Sequence, residues 1–217
     1  VRGVADLVLF SVVVLDLAIL VSSRVRFGVR AVALQGLALS LLPLCFWWTG
    51  AMASLGHALL MSSVSLAVKA VLVPWMLQRS IRQSHVYREM EPFVGLSGSM
   101  FLGTCLVLAS FWLGRVLDVP VPAPSGMLVP VAFATLLNGF LVLVSRKQAI
   151  TQVIGYIMIE NGIFIFGQLL AHALPFVVEI GILLDLLGGI FVMGIAIHNI
   201  SREFDHIDTE QLANLKG

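Results

Sequence analysis

A chain of 217 residues with 59% hydrophobic and only 12% charged residues lies outside the range of soluble domains, which carry about 25% charge. One globular core of this size cannot hide so much apolar surface, so lipid must serve as the solvent for much of it. A net charge of +1 gives a nucleic-acid partner no electrostatic support.

About seven apolar runs reach, or nearly reach, the roughly 20 residues that a helix needs to cross a bilayer. They fall at 4–22, 31–49, 53–76, 93–114, 127–145, 151–172 and 176–198. The first is bounded by Asp6 and by Arg24, Arg26 and Arg30. It lacks a basic leader and a small-residue cleavage site, so it reads as a mature helix rather than a signal peptide. Trp48-Thr49-Gly50-Ala51 joins the second run to the third. Residues 77–92 are polar with scattered apolar positions and read as a cytoplasmic amphipathic or irregular segment. Residues 115–130 hold four prolines and one glycine, which reads as an extended outer loop. His172-Ala173-Leu174-Pro175 joins the last two runs, and a polar tail begins near 201.

The expected architecture is all-α, a polytopic integral membrane protein. It divides into a four-helix part (1–114), the proline-rich loop (115–130), a three-helix part (131–200, its first helix beginning as early as 127) and a cytoplasmic tail (201–217). Basic residues set its orientation. With the N-terminus outside, the inner loops hold Arg24, Arg26, Arg30, Arg79, Arg82, Arg88, Arg146, Lys147, Arg202 and Lys216, whereas the outer side holds only Arg2 and Arg115. Positive charge favours the cytoplasmic side, so the chain is expected to run N-out, C-in. Trp47, Trp48 and Trp112, near the ends of apolar runs, read as interface anchors.

Four charges interrupt runs that ought to exclude them: Lys69, Glu160, Glu179 and Asp185. Each costs at least about 2.5–3.5 kcal/mol at bilayer centre on insertion scales, so such groups face a partner, a polar cavity or an ion path. A rise of about 1.5 Å per residue places Lys69 about 13 Å from the inner end near Gln78. The same rise puts Glu160 about 14 Å from the inner end near Thr151, and Asp185 about 14 Å from the outer end near Phe176. All three reach the midplane of a core about 30 Å thick. Glu179 lies about 9 Å nearer the outer surface than Asp185.

One reading is a lateral proton path, because burial penalises the charged form of both a carboxylate and a lysine and lets protons pass between them. Static neutralisation, with Lys69 fixing helix packing through one carboxylate, and an ion or solute site are the alternatives. Asn161, which wants hydrogen-bond partners when buried, and Pro74, which leaves carbonyls near Lys69 unpaired and favours a kink, support a polar channel. Gly188-Gly189 suits close packing, Ser62, Ser63 and Ser65 suit a wet face, and Gln168 is a further relay or packing contact. His198, at the inner end of the last run, is a candidate for proton entry or exit, while the other histidines lie nearer the surfaces. Asp16 reads as a residue that snorkels toward or pairs with Arg24, about 12 Å away. Cys45 and Cys105 read as buried thiols, since no spacing of cysteine and histidine suits zinc or an Fe–S cluster. No phosphate loop or Ser/His/Asp set appears, so the chain is expected to supply passage or coupling rather than a catalytic centre.

The segments SSVSLAVKAVLVP, SRKQAITQVIGYIMIENG, PFVVEIGILLDLLGG and HIDTEQLANLKG, in this order and at this length, resemble the component E membrane subunit of hydrogenase-4 and formate-hydrogenlyase-type complexes. The resemblance covers most of the chain and is strongest from 127 to 217. The C-terminal three-helix part also resembles the K subunit of respiratory complex I and the related C subunit of cation/proton antiporters. There a basic loop, occupied here by Arg146 and Lys147, precedes a helix with a buried glutamate and an asparagine matched by Asn161. The first carboxylate departs from the pattern: the family position, two residues after Gly155, is Ile157, and Glu160 follows three residues later on a similar face. Asp185 matches the second carboxylate, and Gly189 a glycine four residues after it; Lys69 and Glu179 belong to the component E-like pattern.

The resemblance implies the membrane arm of a group 4 NiFe-hydrogenase-like complex in a bacterial or archaeal cytoplasmic (inner) membrane. Its partners would be antiporter-like membrane subunits and a hydrogenase-like peripheral arm. The NiFe centre and Fe–S clusters would belong to that arm, with no cofactor on this chain. The expected function is proton or sodium translocation coupled to electron transfer. A subunit of a cation/proton antiporter complex and a structural assembly subunit are the alternatives.

Overall fold

The computed structural model describes residues 2–50, 54–84, 94–117 and 125–170, together with Gly188 and Gly194. Every regular element among them is helical: α1 (Arg2–Val21), α2 (Val25–Ser40), α3 (Leu42–Trp48), α4 (Leu55–Ser65), a π-helical segment (Leu66–Leu72), α5 (Val73–Ser84), α6 (Leu96–Val116), α7 (Leu128–Ser145) and α8 (Ala149–Leu170). They make six helices long and apolar enough to cross a membrane, because α2 and α3 share one span, Val25–Trp48, and α4 through α5 share another, Leu55–Arg79. The chain is a polytopic, all-α integral membrane protein. Of the seventh expected run, 176–198, only Gly188 and Gly194 are among the described residues, both helical.

One expected boundary is corrected. The second span begins at Val25 rather than 31, so Arg26 and Arg30 are helical. Their exposed side chains allow this, since long aliphatic stems lie along apolar surface while the guanidinium stays in water. The third span ends at Arg79, close to the expected 76, but its helix runs on: α5 continues to Ser84 and buries Leu77 and Ile81. Residues 85–92 of the expected amphipathic or irregular segment, and 118–124 of the outer loop, lie outside the described residues.

Local chemistry explains the breaks. Pro43 at the start of α3 has no N–H for the preceding turn, and α2 closes on a tighter bond from Leu41 N–H to the Ala38 oxygen at 3.2 Å. Gly50 ends α3 with φ +76, a left-handed conformation that suits glycine. Ser54 caps α4 by accepting the His57 N–H. Pro74 does not simply kink its helix as expected. Instead the Val73 N–H reaches back five residues to the Val68 oxygen, and the whole stretch Leu66–Leu72 adopts π register. Pro74 has no N–H to restore the α register at the next position.

Packing runs through glycine. A Cβ on Gly155 would lie 2.6 Å from the Leu143 nitrogen and 2.9 Å from the Gly139 oxygen, and one on Gly162 would lie 2.8 Å from the Leu136 nitrogen. Gly155 and Gly162, two turns apart on one face, therefore bring α8 against the backbone of α7. In α6 the pattern of a soluble helix is inverted. Ser99, Gly103 and Ser110 are buried, while Phe101, Leu108 and Trp112 are exposed, which suits lipid or another subunit on the outside.

Gly155→Leu should force α7 and α8 apart, with overpacking costing about 1–3 kcal/mol or more. The expected result is a lower yield and a lower melting midpoint of the detergent-purified chain. Gly3→Leu, where a Cβ meets nothing within 4 Å, should leave both unchanged.

Candidate functional site: a buried polar layer

Two apolar clusters make up the core, and polar residues lie between them. Along α1, Val8, Leu9, Val12 and Val13 belong to one cluster and Ile19 and Leu20 to the other, with Asp16 between. In α2, Gln35 separates Val32 from Leu39. In α7, Thr135 and Asn138 separate Ala132 from Val142; in α8, Glu160 and Asn161 separate Met158 from Ile165. Lys69 joins the layer from the π-helical segment.

Lys69 and Glu160 are brought together. Lys69 Nζ stands 3.3 Å from Glu160 Oε1, with the side chains 3% and 5% exposed. Phe164, one turn after Glu160, presents its ring 5.2 Å from the ammonium, a cation–π contact. Two glycines admit the pair. A Cβ on Gly36 of α2 would lie 2.8 Å from the Lys69 backbone, so α2 can press against the π turn. A Cβ on Gly188 would lie 2.7 Å from Glu160 Oε2 and 3.1 Å from the Tyr156 ring, so the glutamate is closed over from that side.

A second carboxylate lies in the same layer, and its expected pairing with Arg24 is corrected. Arg24 is exposed, whereas Asp16 is fully buried. Asp16 accepts hydrogen bonds from Gln35 Nε2 at 2.7 Å and Thr135 Oγ1 at 2.7 Å. The Gln35 Oε1 in turn accepts from Asn161 Nδ2 at 3.3 Å. A continuous chain, Thr135–Asp16–Gln35–Asn161, thus ends beside Glu160 in sequence. Sequence reasoning passed over Gln35 and Thr135; the signal was their depth, midway along apolar helices like Asp16 itself.

The remaining expected residues divide. Ser62 is buried and donates to the Ser40 oxygen at 2.5 Å, whereas Ser63 is exposed and bonds its own helix at Leu60. The Ser65 hydroxyl, one turn before Lys69, is buried without a hydrogen-bond partner among the described residues, as are both amide atoms of Asn138, Asn161 Oδ1 and Gln168 Oε1. Arg146 lies in the α7–α8 connection, as expected, but is buried there: it is 2% exposed and donates through Nη2 to the Leu20 oxygen at 2.8 Å, satisfying the end of α1. Lys147 is exposed. Neither expected buried thiol is fully buried: Cys45 is partly exposed and Cys105 exposed. Glu179, Asp185 and His198 lie outside the described residues. Among the described residues, no three His, Cys, Asp or Glu side chains form a group that could hold a metal ion.

These features define a multi-pass membrane protein with a charged layer sealed inside it. Over 193 residues the chain is 31% identical to uncharacterized protein Rv0085 of Mycobacterium tuberculosis, covering 88% of this chain and 86% of that one. Over 159 residues it is 28% identical to hydrogenase-4 component E of Escherichia coli K12, covering 73% and 74% of the two chains, and the same values hold for component E of Shigella flexneri. No family model and no solved structure matches it. The chain belongs to the family of membrane proteins that contains uncharacterized protein Rv0085 and, more distantly, hydrogenase-4 component E.

Asp16→Ala should leave the Thr135 and Gln35 donors without their acceptor, at about 1–3 kcal/mol for each unsatisfied group. A lowered melting midpoint in detergent is expected, with a smaller fall for Asp16→Asn, whose carbonyl still accepts.

Proposed function

We propose that this chain is a membrane-arm subunit of a group 4 NiFe-hydrogenase-like complex, in which Lys69 and Glu160, continued by Glu179 and Asp185, carry proton or sodium translocation coupled to electron transfer. The observation that carries the proposal is the Lys69–Glu160 contact at 3.3 Å, buried beside a π-helical turn. Burying two charges costs several kcal/mol per ion, and their attraction repays this only while the geometry is close. A charge arriving beside such a pair changes the balance and can release a proton or open the pair. The similarity to hydrogenase-4 component E supports the setting, as does Gly188, which lies against Glu160 only three residues beyond Asp185 in the chain.

In this reading a seventh helix completes the subunit, which runs N-out, C-in in a bacterial or archaeal cytoplasmic membrane. The C-terminal three helices act as the complex I K-like portion. Antiporter-like membrane subunits adjoin it, and a peripheral arm holds the NiFe centre and Fe–S clusters. Apolar clusters lie on both sides of the polar layer, so a path within it runs laterally. Asn161 and the π turn set by Pro74 support the layer, and His198 would serve at its inner side. The same close pair favours one rival reading, an assembly subunit in which Lys69 and Glu160 merely neutralise each other.

Glu160→Gln in the reconstituted complex separates them. Normal assembly and electron transfer with ion translocation per electron reduced at least tenfold is the expected result. Reduced complex yield with unchanged coupling in what assembles would establish the structural role instead. Gly188→Ala, which pushes a methyl against the Glu160 carboxylate, should lower coupling in the same assay, whereas Gly194→Ala, in open space, should not.

A further inference from the structure

We infer that the cleft between the start of α2 and α5 binds the phosphate headgroup of an anionic phospholipid. The cleft is lined, among the described residues, by Arg26, Arg30, Gln78 and Ile81, has a volume of about 140 Å³ and opens to the surface. Arg26 and Arg30, four residues apart, project from one face of α2. Guanidinium groups meet phosphate oxygens with paired, charge-assisted hydrogen bonds, and a glutamine amide beside them suits the ester oxygens. Buried Ile81 provides an apolar contact beneath.

The position of the cleft favours a lipid over free phosphate. It lies at a membrane boundary, where the span Val25–Trp48 begins and the span Leu55–Arg79 ends. Arg79 stands over the exposed Trp75 ring at 5.8 Å, an arrangement suited to the headgroup level. Below the arginines, the same face of α2 continues with exposed Leu34, Leu37 and Leu41. Charge at the boundary followed by an uninterrupted apolar stripe matches a headgroup with acyl chains. Free phosphate has no use for the stripe. Basic pockets between helices at this level are a known form of anionic-lipid recognition. The inference is independent of the ion-coupling proposal, because none of these residues belongs to the buried layer.

The test is native mass spectrometry of the full chain in mild detergent, titrated with phosphatidylglycerol, phosphatidylcholine or inorganic phosphate. Phosphatidylglycerol should be retained at least tenfold more strongly than phosphatidylcholine. The double variant Arg26→Gln, Arg30→Gln should abolish that preference, while Arg115→Gln, exposed at the far end of α6, should keep it. Both cleft arginines are exposed, so their replacement leaves the core intact, and an unchanged melting midpoint verifies this. Equal retention of the two lipids, or a double variant that binds as the parent does, would overturn the inference. Displacement of phosphatidylglycerol by equimolar inorganic phosphate would also overturn it, by assigning the cleft to free phosphate.

Discussion

An ammonium and a carboxylate 3.3 Å apart, with almost no solvent at either, attract each other strongly because little water screens them. The same absence of water makes each intolerable without compensation. Much of the surrounding structure follows from that constraint. Gly36 lets α2 approach the backbone that carries Lys69, Gly188 closes on Oε2 of Glu160, and Phe164 offers a ring face to the ammonium. A side chain at either glycine would meet the pair or its backbone. The π turn is part of the same arrangement, since it replaces the hydrogen-bond register that Pro74 denies to the lysine's own helix.

Asp16 meets the same constraint by different chemistry. Neutral donors, Thr135 and Gln35, hold its two oxygens from two other helices. One layer therefore contains a carboxylate held by a cation and another held by dipoles, linked along α8 because Asn161 follows Glu160 and bonds Gln35. The layer also keeps polar capacity that the described residues do not use, at Ser65, Asn138 and the Asn161 oxygen. Buried polar atoms of this kind are where internal water is ordinarily found, and the apolar clusters on both sides direct any such hydration sideways.

The outer surface obeys the inverse rule. Helix association in lipid gains little from burying leucine, because lipid tails are equally apolar; close backbone approach and polar contacts decide it. Hence α6 turns serine and glycine inward and its large side chains outward, and α7 and α8 meet at glycines. A chain built this way presents large apolar side chains outward, as lipid contact requires.

The apolar runs were legible because lipid is a uniform solvent: length and composition alone mark what can cross it. Depth was legible too, since helical rise is constant, and counting residues placed Lys69 and Glu160 at one level before their contact was seen. Rotation and partner choice were not. Nearness in sequence suggests that Asp16 snorkels toward or pairs with Arg24, yet its partners are 19 and 119 residues away. Arg146 is the loop charge that the sequence suggests, but its burial against the carbonyl at the open end of α1 was not legible. The start of α2 was set six residues late because arginines look like a boundary, while their flexible stems let the helix continue through it. Sequence by itself determined the six described apolar spans to within a few residues and put Lys69 and Glu160 at matching positions along their helices. Only the tertiary structure decided which charges meet, because that depends on glycine contacts and a π turn that rotate helices about their axes, a freedom that hydropathy does not constrain.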